Sequence, residues 1–205
     1  MREPDTLACV WVHRTKGQSL KKFWKYLAVT VLSLVVVGVC GGLLLFKLAQ
    51  RQVAGRLQPP ELVAESIPET DFTFRTLDGK VRQLSECKGK VVFLDLWGTW
   101  CIQCVAEMPT VQKLYSHYKG SSQVEFLIVS RWDSPQSVQR YAHRNDFDLP
   151  FYVTRDDDVP ASMHLNQFPA TFIFSKDGRL IMQHAGGADW ADRSVFKFID
   201  ELKNR

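Results

Sequence analysis

The stretch Trp97-Gly98-Thr99-Trp100-Cys101-Ile102-Gln103-Cys104 places two cysteines two residues apart. Val91-Val92-Phe93-Leu94-Asp95-Leu96 precedes it as a short apolar run of strand type, and Val105-Ala106-Glu107-Met108 follows with helical character. A Cys-x-x-Cys at a strand-to-helix junction is a redox arrangement with a physical basis. Cys101 at the start of a helix meets unpaired N–H groups and the positive end of the helix dipole, which favour its thiolate. The thiolate is the nucleophile in thiol–disulfide exchange. Cys104 lies one turn later on the same face, close enough to bridge, and is expected to face inward and resolve the mixed disulfide. A zinc site needs two further ligands at suitable spacing; there is no second Cys-x-x-Cys, and the five histidines are scattered. No metal or cofactor is expected.

Five cysteines with only one close pair do not make a disulfide framework. Cys9 and Cys40 read as bystanders. Cys87, in the connection before the active-site strand, reads as an inert half-buried thiol. The net charge of +4 is an uneven average. Residues 1–25 hold six Lys/Arg against two acids, whereas residues 61–205 hold 17 basic and 20 acidic side chains. The basic excess belongs to the N-terminal segment, which removes the electrostatic case for nucleic-acid binding.

Residues 26–46 are 21 positions without a charge. As a helix they reach about 30 Å, the thickness of a hydrocarbon core. Phe23, Trp24 and Tyr26 sit where interfacial rings belong, and Lys21, Lys22 and Lys25 outnumber Lys47 and Arg51 on the far side. A retained single-pass anchor with a cytoplasmic N-terminus follows. A cleaved leader fits less well, because the basic region and the apolar core are both too long and no small-x-small site follows. The expected organisation is a tail over 1–25, a transmembrane helix over 26–46, a linker over 47–66 and a globular domain over 67–205.

Within the domain, alternating residues on both sides of Asp78-Gly79 predict a β-hairpin. Strands are then expected at 91–96, 124–129, 150–153, 170–174 and 180–184. Helices are expected at 101–118 with Pro109 inside, at 134–145 behind Ser134-Pro135, briefly near 160–165, and from about 189–191 to the end. Asp156-Asp157-Asp158 reads as a solvated loop. This order predicts a mixed α/β sheet with helices on both faces.

Lys88-Gly89-Lys90 through Cys104, Glu107-Met108-Pro109, and Phe168-Pro169-Ala170-Thr171-Phe172-Ile173-Phe174 with Asp177-Gly178 resemble the thioredoxin superfamily. Within it the resemblance is to the membrane-tethered TlpA/ResA/CcmG-like thiol–disulfide oxidoreductases. It covers nearly all of residues 67–205, including the material around 133–165 that matches that branch's central insertion. The resemblance implies a thioredoxin-like fold with an N-terminal β-hairpin. It implies that Pro169 is the cis-proline beside the cysteines, that Phe168 pairs with an incoming peptide, and that Trp100 lines the contact surface. Asp95 matches the buried aspartate of ordinary thioredoxins, where burial should raise its pKa and fit it for general-base work. Many tethered relatives carry another residue there, so this chain departs toward thioredoxin. Glu107 matches an active-site glutamate of ResA-like members. With both present, the proton carrier is open between them.

The implied activity is reduction of protein disulfides, for example in cytochrome c maturation, by Cys101 attack and Cys104 resolution. The domain would be periplasmic, on an inner-membrane anchor, with electrons from a membrane donor of the DsbD/CcdA type. Ile102-Gln103 between the cysteines is not a diagnostic dipeptide. A thiol oxidase or isomerase, and a non-enzymatic Cu(I) chaperone using the same cysteines, are the alternatives.

Overall fold

The computed structural model of the chain describes residues 8–62 and 71–205. The chain forms two units, divided between Ala49 and Gln50. A helix α1 (Ala8–Ala54) makes up the described part of the first and continues to Ala54, so most of the expected tail and the first part of the expected linker are helical. Residues 1–7 of the expected tail and 63–66 of the expected linker lie outside the described residues. The 28 residues Lys22–Ala49 are long and apolar enough to cross a membrane, and none is buried. The two hydroxyl side chains Thr30 and Ser33 in this span bond back onto the helix: Thr30 donates to the Tyr26 carbonyl at 3.0 Å and Ser33 to the Val29 carbonyl at 2.8 Å. That satisfies these hydroxyls within the helix.

The second unit is built on a seven-stranded sheet. Its strands are β1 (Thr73–Thr76), β2 (Val81–Gln83), β3 (Val91–Trp97), β4 (Val124–Arg131), β5 (Phe151–Thr154), β6 (Ala170–Phe174) and β7 (Leu180–Ala185). The spatial order is β2-β1-β5-β4-β3-β6-β7. β3, β4 and β5 are parallel, and β1, β6 and β7 join antiparallel at the flanks. β3 is central and buried along its whole length. Its odd and even residues therefore serve two different cores.

Val91, Phe93 and Trp97 pack with α2 (Ile102–Tyr118), α3 (Pro135–Asn145) and α4 (Arg193–Lys203). Val92, Leu94 and Leu96 pack on the other face with Phe72, Phe74, Cys87, Val159 and Met163. The expectation of helices on both faces is corrected here. All three α-helices share one face; the opposite face, to which Phe72 and Phe74 at the hairpin edge contribute, is covered by short 3-10 turns at Leu84–Cys87 and Ala161–Met163. Helix starts follow the expected chemistry: Ser134 caps α3 ahead of Pro135, and the Asp192 side chain accepts the Ser194 N–H at the start of α4.

Asp95 belongs to the odd set of β3, so alternation turns its carboxyl toward the helices. The same helical face carries the first turn of α2, which is how the sheet register delivers a carboxyl beneath a cysteine pair.

Candidate active site

Cys101 is the N-cap of α2, with extended backbone. Its Sγ accepts the Cys104 N–H at 3.2 Å. The two sulfurs form a disulfide with Cα atoms 5.3 Å apart. Cys104 is wholly buried, whereas Cys101 retains 8% exposure, so Cys101 is the sulfur a partner can reach. Once the bond is reduced, the cap geometry offers the same N–H to a Cys101 thiolate.

Two carboxyls lie under the pair, both fully buried. Glu107 is on the turn of α2 after Cys104; its Oε2 accepts the Ala188 N–H and the Trp190 indole N–H, each at 2.9 Å. Asp95 Oδ1 accepts the Thr171 hydroxyl at 3.3 Å. Each carboxyl also has one oxygen without a protein partner, Asp95 Oδ2 and Glu107 Oε1. Burial pushes Asp95 up to about 7, against the smaller opposing effect of Thr171. Burial, and then the charge of Asp95, hold Glu107 well above the usual carboxylate range. Two such groups that feel one another share their protons as a pair. The pair can therefore hold a proton and still leave a carboxylate to accept one near neutral pH.

Phe168–Pro169 is a cis peptide bond. The Pro169 carbonyl accepts the Gly186 N–H at 2.8 Å, and the next residue, Ala170, pairs with Leu96 at the end of β3. Trp100, half exposed at 51%, lies 5.5 Å from the Phe168 ring and 5.4 Å from that of Trp132. Trp132 and Phe168 are 5.6 Å apart, so the three rings form a triangle beside Cys101. Polar groups hold it open. Asp133 accepts the Thr99 N–H at 2.8 Å, the Thr99 hydroxyl at 2.7 Å and the Ser130 hydroxyl at 2.6 Å. The buried Arg131 guanidinium lies 4.6 Å from the Trp132 ring and 5.2 Å from that of Phe168, while pairing with Asp156.

All seven residues singled out from the sequence thus gather around one place: Asp95, Trp100, Cys101, Cys104, Glu107, Phe168 and Pro169. Sequence reasoning missed Arg131, Trp132 and Asp133. Their signal was their place at and just past the carboxyl end of a central parallel strand, where functional residues gather. It also missed Trp190, whose indole holds Glu107. The Asp156–Asp158 turn, expected as a solvated loop, uses Asp156 on Arg131 and Asp158 on Arg75. Cys87 is buried in the core on the far side of the sheet, and burial pushes its thiol up to about 11.

Known proteins resemble this chain in sequence and in fold. The AhpC/TSA family matches residues 63–183. The thiol-disulfide oxidoreductase ResA of Geobacillus kaustophilus (strain HTA426) is 36% identical over 118 residues, covering 58% of this chain and 67% of that protein. ResA of Halalkalibacterium halodurans is 31% identical over 133 residues, covering 65% of this chain and 74% of that protein. Among solved structures, a thiol:disulfide interchange protein of Chlorobium tepidum TLS matches with a TM-score of 0.57 at 19% identity, over 68% of this chain and 98% of that one. StoA of Bacillus subtilis matches at 0.50 and 20% identity, over 67% of this chain and 96% of that one. At these identities the structural likeness carries the thioredoxin-like fold alone.

Proposed function

The chain belongs to the AhpC/TSA family and stands among its ResA-like thiol–disulfide oxidoreductases, and from that premise we propose that it is a membrane-anchored reductase of protein disulfides. The observation that carries this reading is the pairing of a reachable, N-capped Cys101 with a buried Cys104 above two carboxyls of raised pKa.

In the reduced protein the Cys101 thiolate attacks one sulfur of a substrate disulfide. A mixed disulfide forms and one substrate thiolate leaves. Cys104 then gives its proton to the Asp95–Glu107 pair and attacks Cys101 Sγ. The second substrate thiolate leaves, and the protein ends in the Cys101–Cys104 disulfide. Two electrons have passed to the substrate. A dithiol donor in the membrane, of the DsbD/CcdA type, restores the thiols by the reverse exchange. Phe168 presents backbone beside Pro169 for an extended substrate segment, and Trp100 covers its flank. In this reading α1 is a retained inner-membrane anchor, the N-terminus is cytoplasmic and the redox domain periplasmic; the denser Lys cluster before the span supports that orientation. An apocytochrome c with an oxidised cysteine pair is a substrate of the right chemistry.

The test is capture. Cys104→Ser removes the resolving thiol, so substrate should accumulate as a mixed disulfide on Cys101, identifiable by mass. Cys101→Ser should capture nothing and abolish reduction of a test disulfide protein. Tight Cu(I) binding by the reduced protein, without disulfide reduction, would instead support a copper chaperone.

A further inference from the structure

The loop at residues 186–190 joins β7 to the approach of α4, and its backbone amides are distributed among four different partners. Gly186 donates to the Pro169 carbonyl at 2.8 Å and Ala188 to Glu107 at 2.9 Å. Asp189 donates to the Gln58 carbonyl at 2.9 Å and Trp190 to the Thr110 hydroxyl at 3.1 Å. Three of these partners are the cis-proline, the carboxyl under Cys104 and the next turn of α2. The fourth belongs to the segment just after α1, which the sequence presents as a linker.

That segment is not free chain. Leu57 is half-buried, Pro60 is buried, and Leu62 packs against the helix-side core. Glu61 acts electrostatically on His184 of β7, whose ring lies 5.8 Å from that of Trp190. Gly187 shows how close the contact is. A Cβ placed there would meet Leu57 Cδ2 at 3.0 Å, the Gln103 carbonyl oxygen at 3.5 Å and Gln103 Cβ at 3.6 Å. Leu57, Gly187 and the dipeptide between the two cysteines therefore meet at one point, and a side chain at 187 would press on the tip of Leu57.

We propose that residues 57–62 are a positioning strap of the redox site, clamping the 186–190 loop onto Glu107 and so keeping that carboxyl dry. The inference rests on the reading of the Asp95–Glu107 pair, and of Glu107 within it, as the proton acceptor for Cys104. The strap touches no reacting atom; it acts through the loop. Without it, Asp189 loses its acceptor and Gly187 its cover, and water reaches the pocket behind Ala188. Burial outweighs the hydrogen bonds in setting the state of Glu107, so hydration returns it toward an ordinary carboxylate. The other titratable groups around it are Asp95 on β3, Tyr141 on α3 and Cys104 on its own helix, with His184 behind Trp190.

The experiment uses the full chain in detergent, reduced beforehand with a dithiol that is then removed, and follows its reduction of insulin disulfides against pH. Leu57→Asp should move the acidic limb of the profile down by about one pH unit, and Leu57→Met should leave it in place. Glu107→Gln should itself change the limb, and adding Leu57→Asp to it should change nothing more. A Leu57→Asp profile equal to wild type, or a shift that adds in full to that of Glu107→Gln, overturns the strap alone. A Glu107→Gln profile equal to wild type overturns the reading of Glu107 and the strap with it. Thermal unfolding of each variant is measured alongside, and a limb that moves equally in Leu57→Asp and Leu57→Met also counts against the strap.

Discussion

Asp95 and Thr171 face one another across the antiparallel β3–β6 pair, and the threonine hydroxyl donates to Asp95 Oδ1 at 3.3 Å. That single contact does not offset the removal of the carboxyl from water, and its pKa rises to about 7. An unfolded chain has an ordinary aspartate that loses its proton near 4. Between these values the folded state binds more protons, so stability falls as pH rises through that window, by about 1.4 kcal/mol per unit. Asp95→Asn keeps the shape and removes the titration. It should stabilise the domain by about 2–4 kcal/mol at pH 8 and by less than about 2 kcal/mol at pH 5. Denaturant unfolding at the two pH values checks this; an equal gain at both would mean that Asp95 titrates normally.

Glu107→Gln keeps an oxygen for Ala188 and Trp190 but cannot take a proton from Cys104. General-base assistance contributes roughly 10²–10⁴-fold, and Asp95 can supply part of it. The single variant should slow resolution about tenfold or more, and Asp95→Asn/Glu107→Gln should lose the rest of that range. Acid quenching followed by mass measurement reads the mixed disulfide directly. Capture of the intermediate should increase in the order wild type, single, double.

Gly98 has no side chain because the Trp100 indole occupies the place a Cβ would take. Gly98→Ala should push the indole off the Trp132 and Phe168 rings. Each aromatic contact is worth about 0.5–1.5 kcal/mol, so KM for a protein substrate should rise roughly two- to tenfold with kcat little changed. A change in kcat at constant KM would place Trp100 in the chemical step rather than in binding.

Cys87 should be silent. Its thiol is buried on the sheet face away from Cys101 and held at about 11. It should resist alkylation in the folded protein at pH 8 and react on denaturation. Cys87→Ala should leave disulfide reduction unchanged.

Strands and helices were legible because their signals are local. Asp78-Gly79 marks a turn, Ser134-Pro135 a helix start, and the apolar run before Cys101 a central strand. The face each helix takes was not local. The sequence around α3 shows one apolar stripe, but only the β4-to-β5 crossover decides that it joins α2 and α4. At the site, Asp95 could be recognised as a polar residue in an apolar strand. Glu107 could equally have been a surface charge on a helix, until Trp190 and Ala188 came from 80 or more positions away to hold it. Trp132 carries a positive φ of 62° and stays exposed at 58%. No local pattern announces such a conformation in a tryptophan, nor the Arg131 guanidinium 4.6 Å from its ring.

The pairing of β1 with β5, in which Thr76 meets Tyr152, sets an order of events in biosynthesis. At about 5–20 residues per second, roughly 4–15 s separate synthesis of the two strands. The first hairpin of the domain is therefore made early and has no neighbour to join. Until β5 emerges, β1 lacks its second strand partner, and the cysteine pair, which lies between β1 and β5 in the chain, is already present. The unfinished domain thus carries reactive thiols before it has the fold that governs them. Safe maturation then depends on β5 arriving before an oxidant does.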